Sequence, residues 1–199
     1  MHPLINIATK AALSASKIIL RATDRLNTIK ISEKSHNNFV TETDKQAEQI
    51  IIDTILEAYP EHAILGEESG ETGKSDHTWI IDPIDGTLNF FHGHPHFCIS
   101  IGVQVKDTIE HGLIYDPLRQ ELFTASRGEG AFLNNKRIRV TQRKQFPGSI
   151  IASDGGHKNY DAYTKILAKL LPQAAGVRRH GSAALDFAYL ACGRVDGIL

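Results

Sequence analysis

Residues 79–90 read WIIDPIDGTLNF, and this stretch decides how the rest of the chain is interpreted. Its apolar start, together with the preceding residue, predicts a short buried strand over Thr78–Ile81. Asp82 and Asp85 follow directly, and Pro83 between them fixes the backbone φ angle. We therefore expect the chain to turn here, so that the two carboxylates converge.

A second acidic cluster, Glu67-Glu68, follows directly after another predicted strand, Ala63–Gly66. Carboxylates at strand ends point into the crevice where open α/β sheets bind ligands, so Glu67 can add a third oxygen ligand. After Asp85, Gly86-Thr87 precede a predicted helical turn at Leu88–Phe91. A helix N-terminus preceded by glycine presents N–H groups to an anion.

The ligand set contains carboxylate oxygens and no cysteine, a combination that selects Mg²⁺, Mn²⁺ or Ca²⁺ over Zn²⁺. Taken alone, Asp-Pro and Asp-Gly are ordinary turn sequences. Three carboxylates gathered without a cation would repel one another, and their pKa values would rise. Acids from two strand ends beside a glycine-containing helix start therefore favour a phosphoryl-transfer site with bound metal.

Helices and strands are predicted on both sides of this motif. Apolar residues recur at helical spacing over residues 3–24, and a capping signal at Thr41 begins a second helix that Pro60 ends. Short apolar runs separated by turn signals predict further strands, and the C-terminal part returns to helices. The resulting architecture is layered α+β or α/β. The later strands are Phe97–Val105, Glu110–Tyr115 and Glu121–Ala125, and the later helices are Tyr160–Leu171 and Ala183–Ala191.

Composition excludes several classes of protein. The 199 residues are 41% hydrophobic, enough for one sizeable core. With 22 basic against 23 acidic residues, the chain lacks the basic excess of a nucleic-acid or membrane-surface binder. We find no signal peptide and no apolar run near the ~20 residues of a membrane span. Cys98 and Cys192 are interpreted as thiols of a reducing compartment, so we expect a soluble cytoplasmic protein.

Four motifs in sequence order make the chain resemble the inositol monophosphatase family. They are GEESG at 66–70, WIIDPIDGTLNF at 79–90, FHGHPHFCISIG at 91–102 and RRHGSAALDFAYLACGRVDG at 178–197. The resemblance extends from Val40 to Leu199. It implies the layered αβαβα sugar-phosphatase fold in a single domain, residues 1–199, with an N-terminal lobe to about 145 and a C-terminal lobe starting at 146.

The resemblance also implies a role for each matching residue. The metal ligands would be Glu67, Asp82, Asp85 and the main-chain carbonyl of Ile84. The phosphate would be held by the turn Ile84, Asp85, Gly86 and Thr87. Thr87 and Glu67 would orient the attacking water, with Asp44 supporting Thr87. The alcohol part of the substrate would meet Arg178, Ser182 and Ala183.

The activity implied is Mg²⁺-dependent hydrolysis of myo-inositol monophosphate or a similar sugar-alcohol phosphate by an activated water. Two or three ions are expected, with Mn²⁺ as a substitute and Li⁺ as an inhibitor. Other superfamily branches act on nucleotide 3′-phosphates, histidinol phosphate or fructose bisphosphate, and these alternatives stay open. The resemblance further implies a homodimer. It also leaves room for a non-catalytic role with the transcription and ribosomal-RNA machinery through a protein partner, without direct nucleic-acid binding.

The chain departs from the family pattern at its end. Similar enzymes continue beyond the residue matching Leu199 and include a WDxAAG motif whose aspartate is a further metal ligand. That motif is not found here, and Asp196 belongs to the stretch before it. We therefore expect an incomplete C-terminal αβ portion, either in a fragment or in a shortened form, and little activity from these 199 residues alone.

The alternating His92, His94 and His96 suggest a zinc site at first sight. Pro95 interrupts the alternation, and similar enzymes have a loop without metal at this place. We interpret the segment as such a loop.

Overall fold

Two long helices pack side by side in the computed structural model, which describes residues 2–26, 31–35, 38–153 and 160–199. Helix α1 spans Pro3–Thr23 and helix α2 spans Glu42–Ala58, close to their predicted bounds. The buried stripe of α1 is rich in alanine, so the axes of the two helices can approach closely. Thr41 and Asp44 form a reciprocal capping box at the start of α2, as the sequence predicts.

Eight strands form the largest sheet, and they follow a short separate hairpin. The hairpin pairs β1 (Ile31–Ser35) with β2 (Asn38–Thr41). The eight strands are β3 (Ala63–Gly66), β4 (Gly70–Thr72), β5 (His77–Asp85), β6 (Cys98–Val105), β7 (Thr108–Asp116), β8 (Glu121–Ser126), β9 (Gly130–Leu133) and β10 (Lys136–Arg137). Their order is β10-β9-β8-β7-β6-β5-β3-β4. Only the β3–β5 pair is parallel among them, so the carboxyl ends of these two strands meet at one edge.

Helices pack against both faces of the sheet, as the contacts of β6 illustrate. Ile99, Ile101 and Val103 alternate along this strand and join the core beneath α1 and α2. Cys98 points to the other face and joins a smaller cluster with Leu185 of the last helix. The alternate positions Ser100, Gly102 and Gln104 are half-buried, so α5 covers this second face less completely than α1 and α2 cover the first.

The C-terminal part adds a second sheet and two helices. Strands β11 (Ile150–Ala152), β12 (Gly176–Arg178) and β13 (Gly197–Ile198) are parallel in the order β12-β11-β13, with helices α4 (Tyr160–Leu170) and α5 (Ala183–Ala191). Helix α5 contacts β6 and β7 of the large sheet and also β13. The helix pair, the large sheet, α5 and the small sheet are thus successive layers, which confirms the predicted α/β class. The lobe boundary near residue 145 stays a prediction.

Within the described ranges, the helices are too short or too polar to cross a bilayer.

Candidate active site

Asp82 and Asp85 lie inside strand β5, at a β-bulge. Asp82 is opposite Ser100 of β6, whereas Asp85 is opposite Cys98, so three residue steps on β5 match two on β6. Residues three apart on a regular strand face opposite sides, and the extra residue restores one side for both carboxylates. The expected turn at Pro83 is therefore wrong in its form. Proline fits a bulge, where its missing N–H breaks no ladder hydrogen bond.

Glu67 lies beside Asp82 because β3 and β5 run parallel. Gly66 is paired with Ile81, and the Glu67 amide donates a hydrogen bond of 3.0 Å to the Ile81 carbonyl. The residue after each paired position is thus an acid, and the Glu67 side chain hydrogen-bonds to the carboxyl of Asp82. The prediction that the acids at these two strand ends lie together is therefore confirmed, whereas their role as metal ligands stays a prediction.

Burial and two neighbouring acids oppose the ionised form of Asp82. Burial raises the pKa of Asp82 to about 9, and the charges of Glu67 and Asp85 contribute further to this rise. A bound cation would favour the ionised form and offset both effects. The oxygen-only donor set therefore fits a hard divalent cation, which Glu67, Asp82, Asp85 and the Ile84 carbonyl would hold.

Asp85 also holds the N-terminus of α5. Its Oδ2 accepts hydrogen bonds from the Ser182 hydroxyl and from the Ala184 amide, the latter at 2.8 Å, and the Ala183 amide also contacts the carboxylate. Burial raises the pKa of Asp85, and these donors, Ser182 first, oppose the rise. Ser182 and Ala183 are therefore at the site, and their contact is with an acid of the site.

Thr87 lies between a buried acid and the bulge. Its Oγ1 is 3.1 Å from Asp44 Oδ1 and 3.0 Å from the Ile84 carbonyl oxygen. The other oxygen of Asp44 accepts hydrogen bonds from the Thr41 amide, at 2.9 Å, and from the Thr41 hydroxyl. Burial raises the pKa of Asp44 despite these donors. One capping box thus fixes both the start of α2 and the hydroxyl of Thr87.

Gly86 begins helix α3 (Thr87–Phe91) in a backbone conformation that other residues rarely adopt, with φ +97°. A Cβ at this position would lie 3.1 Å from the carbonyl oxygens of both Gly181 and His96. Two loops therefore close around this turn without room for a side chain. The Asn89 amide secures them, because it donates hydrogen bonds of 2.7 Å to the carbonyls of His96 and His180.

The side chain of Arg178, another predicted site residue, contacts the backbone of its own strand, β12. The side chain is exposed, and its guanidinium donates to the Val177 carbonyl at 3.2 Å. A Cβ on Gly176 would lie 2.5 Å from the same guanidinium. A contact between Arg178 and a substrate would need another side-chain rotamer.

Sequence reasoning missed Glu48 and Asn89. Glu48 is 2% exposed on α2, and its carboxylate accepts the amides of Glu68 at 2.9 Å and Ser69 at 2.8 Å. It thereby fixes the loop that carries Glu67. A charged residue within the buried stripe of a helix, four residues after Asp44, was the available signal. Asn89 had the weaker signal of a polar residue within a short apolar helix.

Comparison with known proteins gives one consistent picture. The model of the inositol monophosphatase family matches residues 1–199. Nus factor SuhB of Pseudomonas aeruginosa is 47% identical over 205 residues, which cover 98% of this chain and 76% of that protein. Nus factor SuhB of Escherichia coli K12 is 46% identical over 202 residues, covering 99% and 76%.

Solved structures agree with these sequence relationships. The extragenic suppressor protein suhB of Bartonella henselae superposes with a TM-score of 0.94 at 38% identity, covering 99% of this chain and 78% of that chain. The inositol monophosphatase (IMPase) TM1415 of Thermotoga maritima superposes with a TM-score of 0.87 at 31% identity, covering 98% and 74%.

Proposed function

Because the chain belongs to the inositol monophosphatase family, we propose that it is a Mg²⁺-dependent phosphomonoesterase that acts on myo-inositol monophosphate or a similar sugar-alcohol phosphate. Family membership supports phosphatase chemistry in general. The identity of the ester and of the ions belongs to the proposal.

One observation carries this proposal: the parallel β3–β5 pair and the β-bulge bring Glu67, Asp82 and Asp85 to one place, and the raised pKa of Asp82 agrees with it. The same three acids and the Ile84 carbonyl supply the oxygen ligands that Mg²⁺ prefers. When bound, Mg²⁺ supplies positive charge that polarises the phosphate ester and acidifies a coordinated water. Mn²⁺ fits the same donors and is the expected substitute.

The side chains themselves orient the attacking water. Asp44 Oδ1 and the Ile84 carbonyl both lie at hydrogen-bond distance from Thr87 Oγ1, so the hydroxyl has an acceptor for its single proton. When the hydroxyl donates its hydrogen bond to Asp44 or to the Ile84 carbonyl, the lone pairs of Thr87 Oγ1 can accept a hydrogen bond from water. Glu67, exposed at the mouth of the site, is the second acceptor for that water. Hydrolysis then needs no covalent phospho-enzyme.

The phosphate would lie over the Gly86–Thr87 turn. The first N–H groups of α3 have no acceptor within the helix and can donate to phosphate oxygens. The substrate's alcohol would face the start of α5, where Ser182 and Ala183 already contact Asp85, with Arg178 reaching it after a rotamer change. This side determines which ester binds.

Phosphate release from a panel of esters tests the proposal. We expect Mg²⁺-dependent hydrolysis of myo-inositol 1-phosphate with inhibition by Li⁺, at a low rate because these 199 residues contain no WDxAAG motif. Release from histidinol phosphate, adenosine 3′,5′-bisphosphate and fructose 1,6-bisphosphate should be slower still. A higher rate with one of these three esters would instead assign the enzyme to the corresponding branch of the superfamily. Release that is the same with Mg²⁺ and with EDTA would contradict the proposed chemistry.

A second function is favoured by the relatives named Nus factor SuhB, which are 46–47% identical to this chain. We propose that the protein also binds a protein of the transcription machinery. Co-purification with transcription elongation factors should persist in Glu67→Gln, which changes an exposed site acid without touching the α5 contact of Asp85. If folded Glu67→Gln no longer co-purifies with these factors, partner binding depends on the same site acid as hydrolysis.

A further inference from the structure

A second group of potential metal ligands lies on the segments that surround the Gly86 turn. His96 comes from the loop before β6, His180 from the loop after β12 and Asp186 from the first turn of α5. Each side chain can offer one ligand atom, and the three atoms all lie within 4.8 Å of one another. Three separate segments of the fold thus bring two imidazoles and a carboxylate to one place.

His96 has a buried nitrogen that lacks a partner. The residue is 5% exposed, and its Nε2 has no hydrogen-bond partner among the residues that the structure describes. Buried polar side-chain atoms usually have one, and an atom without a partner calls for an explanation. Burial, the neighbouring His180 and the Arg119 guanidinium lower the pKa of His96 to about 4, so its imidazole is neutral near pH 7. A neutral imidazole nitrogen has the lone pair that a metal needs.

His180 and Asp186 already face each other. The His180 Nδ1 is 2.5 Å from Asp186 Oδ1, the separation of a hydrogen bond, and a cation in place of the shared proton would have both atoms as ligands. The His180 ring stacks on that of His96, with centroids 4.7 Å apart and planes inclined by 22°. The carboxylate of Asp186 is 3% exposed, so it contributes charge in a largely dry place.

We propose that His96, His180 and Asp186 form a site for a transition-metal dication, represented here by Zn²⁺. Imidazole nitrogens with a carboxylate select Zn²⁺ and its neighbours over Mg²⁺, which takes oxygen ligands. Zn–N bonds of about 2.0–2.1 Å place tetrahedral ligands roughly 3.3 Å apart, so no pair has to close by more than about 1.5 Å. Small rotations of the stacked rings can provide this movement.

The surrounding charges permit a cation. Arg119 is the basic group that faces His96, and it is paired with Asp116 at 2.8 Å and also donates to the Pro95 carbonyl. The Asp116 carboxylate therefore offsets the repulsion that Arg119 would exert. Asn89 bonds to the carbonyls of both His96 and His180, so an ion bound there would join the two loops that close around Gly86.

Competition with a chromogenic zinc chelator tests the site, in excess Mg²⁺ to occupy the acids. We expect the wild-type protein to withhold one equivalent of Zn²⁺ more than His180→Asn does, and to unfold at a higher temperature with Zn²⁺. His94→Ala is the matched control, because this histidine is exposed in the same loop as His96 and should leave the bound equivalent unchanged. Asp186→Asn should lower Zn²⁺ affinity at least tenfold.

X-ray absorption at the zinc edge provides a readout independent of folding in any variant. Two imidazole nitrogens in the first coordination shell of the wild-type complex would support the site. A shell of oxygens only, or equal retention of Zn²⁺ by wild type and a folded His180→Asn, would overturn it. Should His180→Asn unfold, the absorption spectrum of the wild type decides alone.

Discussion

The hydroxyl of Ser182 donates a hydrogen bond to Asp85 Oδ2, across 97 residues of sequence. Asp85 ends strand β5 of the large sheet, and Ser182 is the N-cap residue of α5. The same oxygen accepts the Ala184 amide, so a carboxylate lies at the positive end of the helix. The contact makes the position of a proposed metal ligand depend on the C-terminal layer.

Replacement of Ser182 by alanine should therefore weaken both folding and metal binding. The loss of a hydroxyl donor from a half-buried carboxylate should cost about 1–3 kcal/mol of unfolding free energy. The pKa of Asp85 should rise further, and Mg²⁺ affinity should fall several-fold. Urea unfolding and calorimetric titration measure the two effects. Ser126→Ala is the matched control, since it removes a 2.9 Å contact with His111 far from the acids and should leave Mg²⁺ affinity unchanged.

Thr87 offers a test of water orientation that is separate from metal binding. Thr87→Val keeps the shape of the side chain but removes the hydroxyl between Asp44 and the Ile84 carbonyl. Steady-state hydrolysis should fall by about 100-fold or more, with Mg²⁺ affinity within threefold of wild type. Thr87→Ser retains the hydroxyl and should recover most of the activity. Equal rates for Thr87→Val and wild type would rule out the role of the hydroxyl.

Glu48 should matter for stability and for the loop that carries Glu67. In Glu48→Gln the amide can accept at one oxygen only, so either the Glu68 or the Ser69 amide loses its acceptor. We expect a loss of about 1–2 kcal/mol in unfolding free energy and weaker Mg²⁺ binding. Glu57→Gln, at an exposed ion pair with Lys10, should change stability by less than about 0.5 kcal/mol. Similar values for the two variants would show that Glu48 is not a structural acceptor.

The metal-free protein should lose stability as the pH rises. The pKa of Asp82 is raised from 3.8 to about 9 in the folded state, so between these values the folded chain keeps a proton that the unfolded chain has released. This contribution is complete below pH 3.8 and disappears as the pH passes about 9. Asp82→Asn should flatten this part of the profile, and Mg²⁺ should stabilise wild type most at high pH. Thermal unfolding at a series of pH values measures this pH dependence of stability. Asp53→Asn, at an exposed aspartate, is the control.

Much of the fold could be predicted from sequence because its signals are local. The stripes of α1 and α2 and the apolar strands leading to Glu67 and Asp82 each lie within one window of the chain. The strand-end rule then placed the two acids together without knowledge of the tertiary structure. Short strands such as β4, β11 and β13 carry too few residues for a periodic pattern.

The contacts between distant segments could not be predicted. Nothing local indicates that Ser182 meets Asp85 or that Asn89 joins the loops of His96 and His180. The bulge at Pro83 was also missed, because proline next to aspartate is typical of turns and the register against β6 is a property of two strands. Resemblance to a family implied roles for Asp85 and Ser182, whereas the contact between them needed the structure.

Titration of the protein with Mn²⁺ and Mg²⁺ shows directly whether Glu67, Asp82 and Asp85 hold divalent cations. Glu67→Gln, Asp82→Asn and Asp85→Asn should each weaken binding at least tenfold, while His94→Ala, outside the acids, should bind as wild type does. Mn²⁺ detected by electron paramagnetic resonance gives affinity and stoichiometry without relying on turnover. If all three folded variants bind Mn²⁺ as tightly as wild type, the acids do not hold the metal and the account is contradicted.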